Sequence, residues 1–161
     1  MTAPTFQPRE LLKTLSSRGV RFVVIGGVAV GAHGHPRATR DLDVVPDPTP
    51  ENITLLADVI ADLRGTLVGV DAERLGIDLD AATIGEGANF PLDTIYGRLD
   101  VLQEIGDNKL YDEVGADAIE VEIDGILVKI CSLQSLRRLK QAAGRPQDIA
   151  DLAALENADS D

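Results

Sequence analysis

Apolar positions recur along this chain with two periods, and together they predict most of its elements. Leu11, Leu12 and Leu15 fall on one face of a 3.6-residue repeat, so residues 8–18 are predicted as a helix. Pro8 suits its first turn and Gly19 can close it in a left-handed cap. Val20 to Ile25 is continuous in apolar and β-branched residues apart from Arg21, the mark of a strand buried on both faces. Gly26 and Gly27 end that strand, Val28 to His33 reads as a short helix of small residues, and Gly34 to Arg40 as a polar loop. Asp41 to Val45 is the second strand. Its Leu42 and Val44 alternate with two aspartates and should face the core. Pro46, Pro48 and Pro50 forbid a continuation. Thr49 is placed to cap a helix over 50–64, with Ile53, Leu56, Ala57, Ile60 and Leu63 inward and Glu51 in the first turn.

The second half is more strand-rich. Residues 65–87 carry a weak strand signal at Leu67 to Val70 and otherwise read as a mobile Asp- and Gly-rich connection. Strands are predicted over 90–94 and 97–103, turning near Tyr96-Gly97, followed by a short helix or turn over 109–115. Ile119–Ile123 and Ile126–Ile130 flank Asp124-Gly125, a strong hairpin signal. Ser132 caps a helix over 133–143, Gly144 ends it, and Pro146 opens a last helix carrying Ile149, Leu152 and Leu155. The expected fold class is α/β (an α+β mixed sheet with helices packed on it), one domain over 1–156 with a frayed tail at 157–161.

Composition narrows the functional classes. No apolar run approaches the roughly 18 residues of a membrane span. The segment MTAPTFQPRE has neither a basic start nor an apolar core, so no signal peptide is expected. A lone cysteine, Cys131, allows no internal disulfide, and as a strand-end residue it reads as core; the expected compartment is the cytoplasm. A net charge of -12 disfavours a broad polyanion binder, whose affinity comes from neutralising phosphates. Basic residues nevertheless gather in two places: Arg37 and Arg40 before the acid strand, and five between Lys129 and Arg145. That distribution suits a focused anionic ligand.

The candidate chemistry centres on Asp41 and Asp43. Two residues apart on a strand, they share a face, and their like charges call for water, a basic side chain or a divalent cation. A solvated strand edge is the plain alternative. Asp100, between Leu99 and Val101, is a third acid inside an apolar strand; if its strand lies beside the second, three carboxylates meet as in a two-metal phosphoryl-transfer site. Gly26-Gly27 lacks the spacing of a dinucleotide fingerprint and the Lys-Ser/Thr of a Walker loop, but it can bring backbone N–H groups against a phosphate. Lys140 borders the buried stripe of its helix, with Arg145 nearby, and a lysine snorkelling at a core border is the competing explanation. Arg40 and Arg37 could meet phosphate or simply offset the aspartates. His33 and His35 lack a third soft ligand and read as structural, and Tyr96 and Tyr111 are too isolated to stack bases.

The ordered segments GGVAVGAHGHPRATRDLDVV, GRLDVLQ and LRRLKQAAGRPQDIADLAALE resemble the nucleotidyltransferase superfamily over residues 20–156, and within it the compact bacterial group of AbiEii-type toxins from toxin–antitoxin systems. The resemblance implies a nucleotidyltransferase-like fold and transfer of a nucleoside monophosphate from an NTP, with Mg²⁺ or Mn²⁺, to an acceptor hydroxyl in RNA, a small molecule or a protein. It further implies metal binding by Asp41, Asp43 and Asp100, phosphate contacts by Gly26, Gly27 and Lys140, and a place near the site for Asp148. Gly27 departs from the Gly-Ser of several relatives, which leaves backbone N–H groups alone for that contact. A cognate antitoxin or partner protein is a further implication, and no membrane partner is expected. The rival class is a non-catalytic relative that senses nucleotides or binds a protein. A metal-dependent phosphohydrolase would need a histidine–aspartate arrangement that the sequence does not offer.

Overall fold

The computed structural model describes residues 4–105 and 108–159. Of the segments read above, the first three residues of the N-terminus and residues 160 and 161 of the tail lie outside the described residues. Helix α1 (Pro8–Ser17) buries Leu11, Leu12 and Leu15 completely, and Gly19 follows it with φ +79°, the left-handed cap its sequence called for. β1 (Phe22–Ile25) is buried at every position, as a central strand must be when both sheet faces are covered. α2 (Gly26–Ala32) starts without a linker and leads through a loop to β2 (Asp41–Pro46), in which Leu42, Val44 and Val45 are fully buried.

α3 (Pro50–Asp62) follows. Thr49 holds the N-cap position, yet its side chain makes no cap bond; its hydroxyl accepts from Arg21 Nη2 at 2.8 Å instead. The helix is anchored by a residue that periodicity does not flag. Asn52, fully buried, accepts from Arg21 N–H at 2.7 Å and donates to the Arg21 and Asp47 carbonyls at 2.8 Å each, tying α3 to the entry of β1 and the exit of β2. The stretch expected as a mobile connection holds β3 (Thr66–Leu67), shorter than the sequence suggested, and two one-turn helices, α4 (Ala72–Leu75) and α5 (Ala81–Ile84). Asp80 caps α5 by accepting from Thr83 N–H at 2.9 Å.

β4 (Phe90–Thr94) and β5 (Gly97–Val101) form a hairpin, and β6 (Glu104–Ile105) pairs with β7 (Asn108–Lys109) as a small separate ribbon. β5 ends two residues earlier than expected. α6 (Leu110–Gly115) precedes β8 (Ile119–Ile123) and β9 (Ile126–Ile130), whose turn has φ +51° at Asp124 and +84° at Gly125, the two positive values that a type I′ hairpin requires. α7 (Leu133–Ala143) is capped by the Ser132 side chain and closed by left-handed Gly144, and α8 (Pro146–Asp159) packs on α7.

The main sheet has the order β3-β4-β5-β2-β1-β9-β8 and is mixed: β2 runs parallel to β5 and β1 parallel to β9, and the other neighbours are antiparallel. The α/β class with helices on a mixed sheet is therefore observed. Among the described residues, no helix is long and apolar enough to cross a membrane.

Candidate active site

Strand register builds the acid cluster. Parallel pairing of β2 with β5 sets Asp43 opposite Asp100 and Asp41 opposite Arg98. Alternation then sends these four side chains to one face, while Leu42, Val44, Leu99 and Val101, all fully buried, fill the other. One oxygen from each of the three half-buried carboxylates lies within 4.8 Å of the other two. Arg98 donates to Asp100 Oδ1 at 2.8 Å.

The electrostatics favour a bound cation. Partial burial, together with the charges of Asp41 and Asp100, pushes the Asp43 carboxyl up to about 7, against only a small opposing pull from Lys140. Asp100 is also raised, by burial, and the Arg98 guanidinium offsets part of the rise. With all three carboxylates ionised, Arg98 leaves two negative charges uncompensated, the charge of one divalent ion. The donors are all carboxylate oxygens, the hard ligands that Mg²⁺ and Mn²⁺ take. The residues present thus fit such an ion.

Antiparallel pairing of β1 with β2 places Ile25 opposite Asp43, so the chain turns into α2 directly beside the cluster. Gly26 makes that turn with φ +72°. A Cβ there would collide with the Asp43 carboxylate, its Cγ being 2.9 Å away, so the position needs glycine for conformation and for space. A Cβ at Gly27 would stand 2.9 Å from both Arg37 Nη2 and Thr39 Oγ1.

On the other side of the turn is a buried ionic cluster. Lys140 is only 5% exposed, and its ammonium lies 3.1 Å from Asp148 Oδ1 and 2.9 Å from Asp151 Oδ2. Asp148 and Asp151 are 1% and 2% exposed. Asp148 also accepts from Arg145 Nε at 2.7 Å and from the Arg145 backbone N–H at 3.1 Å. Asp151 meets Arg37 through Nε–Oδ1 at 2.8 Å and Nη2–Oδ2 at 3.1 Å. Burial alone would raise both acids; the hydrogen bonds from Arg145 and Lys140 to Asp148, and from Lys140, Arg37 and Gln147 to Asp151, outweigh it and hold both below the usual carboxylate range. Inward acids take the place of the apolar face expected for α8: Leu155 is buried, but Ile149 is 61% exposed.

A cavity of about 160 Å³ joins the two clusters. Gly26, Asp43, Asn89, Glu104, Lys140, Arg145 and Asp148 form its polar side; Ile25, Leu102, Leu110, Leu136, Leu139 and Ala143 line the rest. Six residues singled out from sequence (Gly26, Asp41, Asp43, Asp100, Lys140 and Asp148) thus gather around one place, and Gly27 borders it. Arg40 is exposed in the loop before β2 and has no hydrogen bond or ion pair among the described residues. His33 Nε2 lies 2.9 Å from the Cys131 carbonyl, the structural role expected of it, and burial pushes the Cys131 thiol up to about 12. Two site residues escaped sequence reasoning. Arg98 is two positions from Asp100, which on a strand means the same face; Asp151 is three from Asp148, which on a helix means the same side. Either spacing could have flagged them.

No family model matches the sequence. No curated protein matches it either. Solved structures do. The chain is similar to the antibiotic-resistance factor ANT(2'')-Ia, with 14% identity and a TM-score of 0.61 over 94% of this chain and 81% of that one. It is similar to the lincomycin-bound lincosamide antibiotic adenylyltransferase LnuA, again 14% identical with a TM-score of 0.61, over 94% and 98%. An antigenic nucleotidyltransferase-like protein from Paracoccidioides brasiliensis matches at 19% identity and a TM-score of 0.52, over 95% and 78%. The fold is nucleotidyltransferase-like. At these identities the likeness is one of architecture, and in this nucleotidyltransferase-like fold the triad, the Gly pair and the ionic cluster all lie where β1, β2 and β5 meet α2 and α7.

Proposed function

We propose that the protein is a Mg²⁺- or Mn²⁺-dependent nucleotidyltransferase that moves a nucleoside monophosphate from an NTP to an acceptor hydroxyl and releases pyrophosphate. The observation that carries this reading is the convergence of Asp41, Asp43 and Asp100 within 4.8 Å on one sheet face. Asp41 and Asp43 hold the ion, and Asp100 completes its ligand set. When bound, the divalent ion neutralises the triphosphate and lowers the pKa of the acceptor hydroxyl. The acceptor oxygen bonds to the α-phosphorus, and the bond from that phosphorus to the β-bridging oxygen breaks with its electron pair leaving on pyrophosphate. Asp100, raised by burial, takes the hydroxyl proton and passes it to solvent. Gly26 and Gly27 offer backbone N–H groups to the phosphates, Lys140 supplies positive charge with Asp148 holding it, and exposed Arg40 is free to turn toward the nucleotide.

The acidic surface favours a small hydroxylated acceptor over RNA, and two of the similar structures are an antibiotic-resistance factor and an antibiotic adenylyltransferase. The three resembling segments, the Lys140–Arg145–Asp148 stretch among them, favour a place in the AbiEii-type group and action in the cytoplasm, with a cognate antitoxin or another partner protein as the binding partner. The test is incubation with each α-labelled NTP and Mg²⁺ or Mn²⁺, together with small hydroxylated compounds, RNAs or total protein, beside D100N. Label should move to an acceptor with the wild type and not with D100N. Nucleotide binding without any transfer would instead favour the non-catalytic reading. For the AbiEii-type placement, expression should arrest growth with the wild type and not with D43N.

A further inference from the structure

We infer that Arg37 is a phosphate-binding residue of this site, and that Asp151 is the positioning residue that sets Arg37 beside Gly27 and Lys140 beside Asp43. The inference rests on the nucleotidyltransferase reading and goes beyond it in naming the contact and its support. Arg37 belongs to the loop between α2 and β2, Lys140 to α7 and Asp151 to α8, so one carboxylate ties three separate segments together. Both oxygens of Asp151 are engaged: Oδ1 accepts from Gln147 Nε2 at 2.9 Å and lies 2.8 Å from Arg37 Nε, and Oδ2 meets Lys140 Nζ at 2.9 Å and Arg37 Nη2 at 3.1 Å.

A guanidinium carries five N–H donors. Asp151 takes one hydrogen of Nη2 and the Ala38 carbonyl takes one of Nη1 at 3.0 Å, which leaves without a hydrogen bond the Nε hydrogen, paired with Asp151 by charge alone, and one hydrogen on each Nη. Nη2 is also the atom that a Cβ on Gly27 would approach to 2.9 Å. The free donors therefore belong to a group pressed against the Gly pair, where two parallel N–H bonds suit a phosphate better than a point charge does. Gly27, Arg37 and Thr39 also line one end of a cavity of about 380 Å³ whose other end, at β8 and its turn, carries Glu122 and Asp124, so an anion would sit at the Arg37 end. Arg37, Lys140 and Arg145 meet only two carboxylates, so the cluster keeps one positive charge for an anion.

The experiment titrates the full chain with ATP and, separately, inorganic pyrophosphate in MgCl₂ by calorimetry, and measures Mn²⁺ alone by electron paramagnetic resonance. The set is wild type, R37Q, D151N, D151E and R37Q/D151N. R37Q and D151N should each weaken ATP and pyrophosphate roughly tenfold or more, the loss of one charge-assisted bond. D151E should recover part of that loss. D151N should cost less in the R37Q background than in the wild type, and Mn²⁺ binding should hold throughout, since the triad is intact. Unchanged pyrophosphate affinity in R37Q, or losses that multiply independently in the double variant, would overturn the inference while leaving the nucleotidyltransferase reading in place. If D151N does not fold, R37Q decides: a wild-type affinity for ATP and pyrophosphate in R37Q overturns the inference. A wild type that binds Mn²⁺ but neither phosphate ligand defeats the nucleotidyltransferase reading, and this inference with it.

Discussion

Replacing Asp43 by asparagine should stabilise the metal-free protein and remove its response to divalent ions. Asp43 is raised from an ordinary value of 3.8 to about 7, first by burial and then by Asp41 and Asp100. The unfolded chain gives up this proton near pH 4, whereas the folded chain keeps it until about pH 7. Between those values the unfolded state binds fewer protons, so stability falls as pH rises and then levels off above about pH 7. Three pK units correspond to about 4 kcal/mol, an upper bound on the penalty at pH 8. Asparagine fills the same space without the charge. In urea titrations followed by circular dichroism with EDTA, D43N should match the wild type near pH 4 and exceed it by about 2 to 4 kcal/mol at pH 8. Magnesium at 100 times its dissociation constant should return about 2.7 kcal/mol to the wild type and almost nothing to D43N, closing most of the gap. Parallel pH curves for the two proteins, or an equal gain from magnesium in both, would refute the account of Asp43 as a strained metal ligand.

Three further outcomes follow from the packing. G26A should lose about 2 kcal/mol or more of stability in urea titration, because its φ of +72° and its contact with the Asp43 carboxylate both exclude a side chain; its metal-induced rise in Tm should shrink as well. N52A should cost about 2 to 3 kcal/mol, since it leaves the Arg21 amide and the Arg21 and Asp47 carbonyls without their partner; a loss under about 0.5 kcal/mol would show that water replaces it. Asp148 and Asp151 are held below the ordinary carboxylate value, so their contribution is present above about pH 4 and lost as pH falls further. In acid titration D148N should therefore start less stable at pH 7 and show a shallower decline below pH 4 than the wild type.

Much of the fold was legible in local chemistry. The triple-leucine stripe of α1, the β-branched run of β1, the Asp124-Gly125 turn, the Ser132 cap and the Gly144 stop each follow from the conformational preferences of a few adjacent residues, and each appears as expected. Thr49 failed as a capping side chain because Arg21, 28 positions earlier in sequence, takes its hydroxyl. The stretch 65–87 was misread because its helices last one turn each, too short for a periodicity to register.

The candidate site divides the same way. Spacing alone put Asp41 and Asp43 on one face and enclosed Asp100 in an apolar strand, because strand alternation is a property of the local backbone. Whether Asp100 would join them depended on β5 lying parallel to β2 in a register that sets it opposite Asp43, a choice made by the whole sheet. The ionic cluster was further out of reach. Lys140 looks like a border residue on its own helix, and only the docking of α8 and the loop bearing Arg37 turns it into a buried ammonium between two aspartates. The chain's local order determined which groups could do chemistry; tertiary packing decided which of them meet, because distances between side chains far apart in sequence are set by burial of the core and not by any local preference.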